Sequence, residues 1–231
     1  MRCINVKLVI VTNAAGGLNP NFNIGDVFAI SDSIALPQLC GMNSLMGPND
    51  PELGPRFQPV SNAYPGDLRA IAKRAASALG FDFVHEEGTY CFVSGPMYES
   101  KAECKFLRQL GGDAVGMSTI PEVTAAHHAG LKVLGLSLIT NKVVMPGDTG
   151  PAASHEEVIE AVNKRSTQMQ TFVKKIVEIL KTDVLPNTPV PKQLDLTVPT
   201  PSILESIPVQ TILLGVAAVA AGFMIGKARA N

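Results

Sequence analysis

The sequence predicts an α/β fold built on a largely parallel or mixed sheet. Two observations carry this. Short apolar runs at residues 6–12, 27–31, 89–93 and 132–140 have the length and composition of strands buried on both faces. Between them, apolar residues recur at spacings of three and four, the period of helices laid against a sheet.

The first strand is preceded by Arg2 and Lys7. Its apolar run, residues 8–11, is too short for a secretory signal, whose apolar stretch needs about 7–15 residues. Leu68, Ile71, Ala72, Ala75, Ala76 and Leu79 lie on one helical face, and Gly80 ends that helix. Residues 101–110 form a second helix, stopped by Gly111-Gly112. Ser154-His155-Glu156-Glu157 fits a capping box, with Ser154 at the N-cap and Glu157 three residues on. Val158, Val162, Met169, Phe172, Val173, Ile176 and Leu180 then make one stripe that ends near Lys181.

Residues 1–181 thus read as one domain, large enough at 46% hydrophobic content to bury a core. From 182 to 205, prolines including Pro186, Pro189, Pro191, Pro199 and Pro201 interrupt any regular element, giving a semi-extended linker. Residues 206–226 hold no charge and end at Lys227 and Arg229. As a helix they would span roughly 31 Å, near the ~30 Å hydrocarbon thickness, and so read as a hydrophobic tail anchor facing an intracellular membrane. A net charge of -1 gives no reason to expect nucleic acid as a partner. Cys3, Cys40, Cys91 and Cys104 show no C-x-x-C spacing, which points away from zinc or a redox motif and fits reduced thiols in the cytoplasm.

Four segments are suited to chemistry. Thr12-Asn13-Ala14-Ala15-Gly16-Gly17 follows the first strand, and its small residues let backbone amides approach an anion, although a tight turn uses the same residues. Gly95-Pro96-Met97-Tyr98-Glu99-Ser100 follows the third strand and places a carboxylate where strand becomes loop; it serves equally as an acceptor for a ligand N–H or as a helix N-terminal charge. In residues 113–122, Thr119 and Glu122 fit a second capping box, with Pro121 in the first turn, which sets Ser118 beside a helix N-terminus. Asn141, at the end of the last strand, offers both a donor and an acceptor, as a turn asparagine also would. His127 and His128 are neighbours that point different ways on a helix and read as structural or solvent-facing, not as metal ligands.

TNAAGG, GPMYES, VGMSTIPEV and SLITNKV, in this order and with a histidine downstream, resemble the trimeric purine nucleoside phosphorylases over residues 6–180. The resemblance implies a twisted mixed β-sheet surrounded by helices, incomplete at its N-terminus in this chain, and a homotrimer with sites near the subunit interfaces. It implies phosphate-dependent cleavage of 6-oxopurine (deoxy)ribonucleosides to free base and (deoxy)ribose 1-phosphate. No cofactor is implied; inorganic phosphate is a co-substrate. By the same resemblance Asn141 hydrogen-bonds N7 and O6 of the base, and Glu99 accepts from N1–H. Tyr98, where the family commonly has phenylalanine, packs on the base, and Val115 and Val143 line its pocket. Met117 lies against the ribose, Tyr90 reaches the 3′-hydroxyl and His155 the 5′-hydroxyl. Ser118 and the backbone of Ala14 hold phosphate, and Phe57 closes a neighbouring subunit's site.

Family members carry roughly a hundred more residues before the TNAAGG strand, including most of their phosphate ligands. The chain alone is therefore expected to be inactive or nearly so, with ladder groups of its first strand exposed. Two other readings stand beside phosphorolysis of 6-oxopurine nucleosides. One is a methylthioadenosine phosphorylase, against which Asn141 argues because an aspartate is usual there. The other is a non-catalytic, membrane-tethered purine-binding protein.

Overall fold

A computed structural model describes residues 1–190. The rest of the expected linker and the tail 206–226 lie outside the described residues, among which no helix is long and apolar enough to cross a membrane. In chain order the elements are β1 (Leu8–Gly17), β2 (Val27–Ala35), α1 (Leu36–Leu39), α2 (Gly66–Leu79), β3 (Val84–Phe92), α3 (Lys101–Gln109), β4 (Ala114–Gly116), α4 (Ile120–His128), β5 (Lys132–Lys142) and α5 (His155–Asp183).

The sheet is mixed, as expected, but it closes into a barrel in the order β1-β4-β3-β2-β5. β1 runs parallel to β5 along its whole length, from Leu8 opposite Lys132 to Gly17 opposite Lys142. β4 is antiparallel to β1 and parallel to β3, and β2 is parallel to β3 and antiparallel to β5. Closure follows from how the apolar residues alternate. One buried cluster takes Ala15 from β1, Phe28 and Ile30 from β2, Tyr90 from β3, Ala114 from β4, and Val133 and Ile139 from β5. Because every strand contributes, this cluster is the barrel interior. The opposite face of β5, with Leu134, Leu136 and Leu138, packs with Val27, Ala29 and the stripes of α2 and α5 in a second cluster. A third, smaller cluster of Leu18, Cys91, Cys104, Leu107 and Val115 lies under α3.

Several expectations need correction. Thr12–Gly17 is not a turn after a strand: it is the second half of β1 itself, with its backbone in the ladder to β5. The capping box at Thr119 does not form, because the Thr119 side chain makes no cap hydrogen bond. At Ser154 the N-cap half is present, Glu157 N donating to Ser154 Oγ at 3.2 Å. A complete reciprocal box occurs instead at α3, between Ser100 and Glu103. The linker begins later than expected: α5 runs to Asp183, a 3₁₀ turn follows at Leu185–Asn187, and Leu185 packs on the second cluster. The exposed ladder is confined to part of β1, where from Leu8 to Ala15 no strand among the described residues pairs with the edge away from β5.

Gly80, left-handed at φ 66°, closes α2 with its N–H on Ala76 O, as its sequence position indicated. Phe172 and Ile176, both fully buried, anchor α5 to the barrel. Phe172→Ala is expected to destabilise the fold by about 3–5 kcal/mol, read as a lower midpoint in urea at unchanged slope.

Candidate active site

The site forms where the end of β1 meets β4 and β5. The pairing of β1 with β5 shifts between Ala15 and Gly16: Ala15 lies opposite Ile139, but Gly16 lies opposite Asn141. Thr140 is thus an extra, unpaired residue, a β-bulge that turns the side chains beyond it. Its hydroxyl is held inside, donating to Ala15 O and to Asn141 Oδ1, each at 3.3 Å. Asn141 is itself buried, at 6% exposure. Its amide donates only to Lys142 O at 3.4 Å. That is near the limit for a hydrogen bond, so the carboxamide retains donor and acceptor capacity.

Gly16 makes room for this amide. A Cβ there would lie 3.0 Å from Val143 Cγ1, 3.5 Å from Asn141 Nδ2 and 3.5 Å from Val115 Cγ1. Three residues from different strands or loops therefore border one side-chain-free spot in β1. Gly116 plays a similar part on β4, where the Tyr90 hydroxyl and the Ala14 carbonyl close over its Cα. Met117 packs against Gly95, which draws the 95–100 loop onto the end of β4.

Glu99 sits just before the N-cap of α3. The Ser100–Glu103 box holds the chain there, with Ser100 N donating to Glu103 Oε2 at 2.7 Å and Glu103 N to Ser100 Oγ at 3.3 Å. Those bonds pull the Glu103 carboxyl below its usual range. Burial pushes that of Glu99 above it. The half-buried Glu99 also helps raise the Tyr90, Cys91 and Cys104 groups, each of which is raised chiefly by its own burial. Tyr90 is wholly buried, and burial raises its phenol to about 12. Its hydroxyl borders Ser118 and Thr119 yet meets no partner at hydrogen-bonding geometry.

Ser118 is exposed and leads into α4 through Thr119, which is 1% exposed and has a positive φ of 80°. Thr119 Oγ1 receives a hydrogen bond from Asn13 Nδ2 at 2.9 Å, and Asn13 Oδ1 receives one from Ser137 Oγ at 2.7 Å. Neither Asn13 nor Ser137 stood out in the sequence; their pairing across β1 and β5 could have, since both are polar residues on strands that otherwise bury apolar side chains.

The structure thus gathers Ala14, Tyr90, Glu99, Val115, Met117, Ser118, Asn141 and Val143 around the ends of β1, β3, β4 and β5. Tyr98 borders the same loop, 39% exposed. His155 opens α5 and is exposed, beyond the loop that leaves β5 after Val143. Phe57, 88% exposed, does not join the group. It lines a separate open hollow of about 750 Å³ with Met46 and Arg56. Another hollow, about 810 Å³, is bordered by Tyr64, His127, His128 and Lys132. Its histidines and lysine are already engaged: His127 with Pro59 O and Asn62, His128 with Asn49 and Pro55 O, and Lys132 with Asp67. The two histidines are structural, as their spacing indicated.

Comparison with known proteins agrees with this architecture. The family model described as the phosphorylase superfamily matches residues 1–178. The purine nucleoside phosphorylase of Bos taurus is 49% identical over 172 residues, covering 74% of this chain and 60% of the relative. Purine nucleoside phosphorylase 1 of Bacillus subtilis is 44% identical over 177 residues, covering 77% and 63%. A solved Schistosoma purine nucleoside phosphorylase in complex with guanosine superposes with a TM-score of 0.74 at 45% identity, over 76% of this chain and 63% of that one. The chain spans about three-fifths of the length of these relatives. It belongs to the phosphorylase superfamily, and within that family its similarity is to the purine nucleoside phosphorylases.

Proposed function

We propose that this chain carries the base- and sugar-binding part of a purine nucleoside phosphorylase site and acts on 6-oxopurine (deoxy)ribonucleosides. The observation that carries the reading is the meeting of Asn141, Val143 and Val115 at Gly16, with the half-buried Glu99 carboxylate in the loop that follows β3. An amide and a carboxylate delivered from separate loops suit the two polar edges of one purine. The guanosine and adenosine bound by Schistosoma relatives support a purine nucleoside as substrate.

In the reaction, the C1′–N9 bond breaks and a bond forms from C1′ to a phosphate oxygen. The bonding pair leaves with the purine, so negative charge grows on the base while the sugar becomes cationic. Asn141 donates to N7 and stabilises that departing charge. Glu99, ionised, accepts from N1–H and orients the ring, and Asn141 in place of an acceptor-only aspartate favours O6 over a 6-amino group. Val115, Val143 and the Tyr98 ring pack on the base. Met117, Tyr90 and His155 face the sugar. Ser118 and the backbone at Ala14 hold phosphate, and no cofactor takes part.

Assembly completes the reading. Leu39, Met42, Met46 and Phe57 are all more than 60% exposed, more apolar surface than one segment of a monomer ordinarily leaves uncovered. A homotrimer covers such residues, with Phe57 closing the site of a neighbouring copy. The tail 206–226 ties the cytoplasmic domain to an intracellular membrane, a reading supported by its length and lack of charge.

Phosphorolysis of inosine by the 231-residue protein tests the proposal: phosphate-dependent turnover above the blank supports it and corrects the expectation that this chain alone is inactive, and its absence rejects it. Asn141→Ala is expected to lower kcat by roughly 10²–10³-fold, the cost of losing one donor at developing charge. An unchanged kcat rejects that role, and guanine binding without phosphate-dependent turnover would favour a non-catalytic purine binder. Glu99→Gln should weaken guanine binding at neutral pH while raising the Tm of the free protein. The sign follows from the raised carboxyl: ionising Glu99 disfavours the fold, so stability falls as pH rises from the unfolded toward the folded pKa. The gap in Tm between variant and parent should open on rising through the carboxylate range and close below it. A gap independent of pH contradicts the half-buried, ionisable carboxylate.

A further inference from the structure

We propose that Thr119 and Asn13 are positioning residues: with Ser137 they form a hydrogen-bond relay that turns the Ser118 hydroxyl outward as a donor to the phosphate co-substrate. The inference rests on the phosphorolysis reading above and names how one of its phosphate contacts is oriented.

The direction of the relay is fixed at its buried end. Ser137, fully buried on β5, donates from Oγ to Asn13 Oδ1 at 2.7 Å. A carbonyl oxygen cannot donate, so this bond also sets which way the Asn13 amide faces. Asn13 Nδ2 then donates to Thr119 Oγ1 at 2.9 Å. Thr119 Oγ1 and Ser118 Oγ lie 3.2 Å apart, where either can donate; in the relay Thr119, already accepting from Asn13, donates to Ser118. Ser118 Oγ is thereby an acceptor toward the protein. Its own proton is left for the exposed side, which is what an anion requires.

The backbone agrees. Thr119 holds φ 80° and ψ −50°, and Ile120 N donates to Ser118 O at 3.0 Å, closing a γ-turn across Thr119. This conformation is costly for a β-branched residue. The same residue could have capped α4 at ordinary angles, and its side chain makes no cap bond there. The strained turn points the Thr119 hydroxyl into the barrel, toward Asn13, and leaves Ser118 at the surface. An N-cap role would need neither feature. The Tyr90 hydroxyl lies beside both residues and makes no hydrogen bond of ordinary geometry to either.

The test compares the full chain with Thr119→Val, Thr119→Ser, Ser118→Ala and the Thr119→Val/Ser118→Ala double variant. KM for phosphate and for inosine are measured separately, together with the rise in Tm caused by phosphate, which needs no turnover. Thr119→Val keeps shape and branching but removes the relay. It should raise KM for phosphate roughly tenfold, as expected for a disturbed hydrogen bond to a charged group, with KM for inosine changed less than about twofold. Thr119→Ser, which keeps the hydroxyl, should restore phosphate KM to within about threefold of the parent. In the Ser118→Ala background, Thr119→Val should add nothing. Asn13→Asp reads the relay from its other end if Thr119→Val does not fold: a carboxylate draws the Thr119 proton inward and should raise phosphate KM at least as much, again sparing inosine. Additive losses, equal effects on both substrates, or no rescue by serine overturn the relay while leaving phosphorolysis standing. A parent chain that neither cleaves inosine nor melts higher in phosphate overturns the phosphorolysis reading, and the relay with it.

Discussion

The single extra residue in β5, Thr140, is the constraint on which the site depends. In a parallel pair, facing side chains keep step, so an unbroken β1–β5 ladder would have set Thr140 opposite Gly16 and sent Asn141 to the other face. The bulge shifts the register by one and aims Asn141 at the bare backbone of Gly16, where Val115 and Val143 already converge. The displaced Thr140 is not wasted: its buried hydroxyl bonds to the Ala15 carbonyl and to the Asn141 side chain. A local defect in the sheet is thus held by the groups it displaces.

Around that defect the barrel supplies two environments. Its interior is mostly apolar, with Phe28, Ile30 and Ile139 fully buried, which explains why Tyr90 is driven toward its neutral form; Glu99, half-buried in the loop before α3, is shifted the same way. At its open end, polar groups are tied to one another. Ser137, Asn13, Thr119 and Ser118 form one chain of hydrogen bonds across β5, β1 and the entry to α4. Ordered in this way, a site pays little reorganisation when charge arrives. The Ser100–Glu103 box serves the same end for Glu99, by fixing the turn that carries it.

Much of this was legible in the sequence, for identifiable reasons. The four long strands and the helices α2, α3 and α5 are written in apolar periodicity, and Gly80 and Ser154 mark real helix ends. The short β4 was not, because three residues carry no period. Closure into a barrel depends on pairings distant in sequence, such as β4 with β1, which no local pattern encodes. The bulge at Thr140 was invisible because it is a relation between two strands. Thr119 misled for a physical reason: T-x-x-E is a fair capping signal, but tertiary hydrogen bonding to Asn13 overrode it. The motif segments come together in the fold, with Ala14, Tyr90, Val115, Met117 and Asn141 around the ends of the same strands. Phe57, largely exposed beside Met46 and Arg56, does not join them.

The grip of Asn141 and Glu99 on opposite edges of one purine is best tested by a crystal structure of the full chain grown with saturating guanine. One base should lie at the end of β1, with Asn141 within hydrogen-bonding distance of N7 and O6, and Glu99 within that distance of N1. Guanine bound elsewhere, or touching one of these two side chains while the other faces a different cavity, would contradict the assignment.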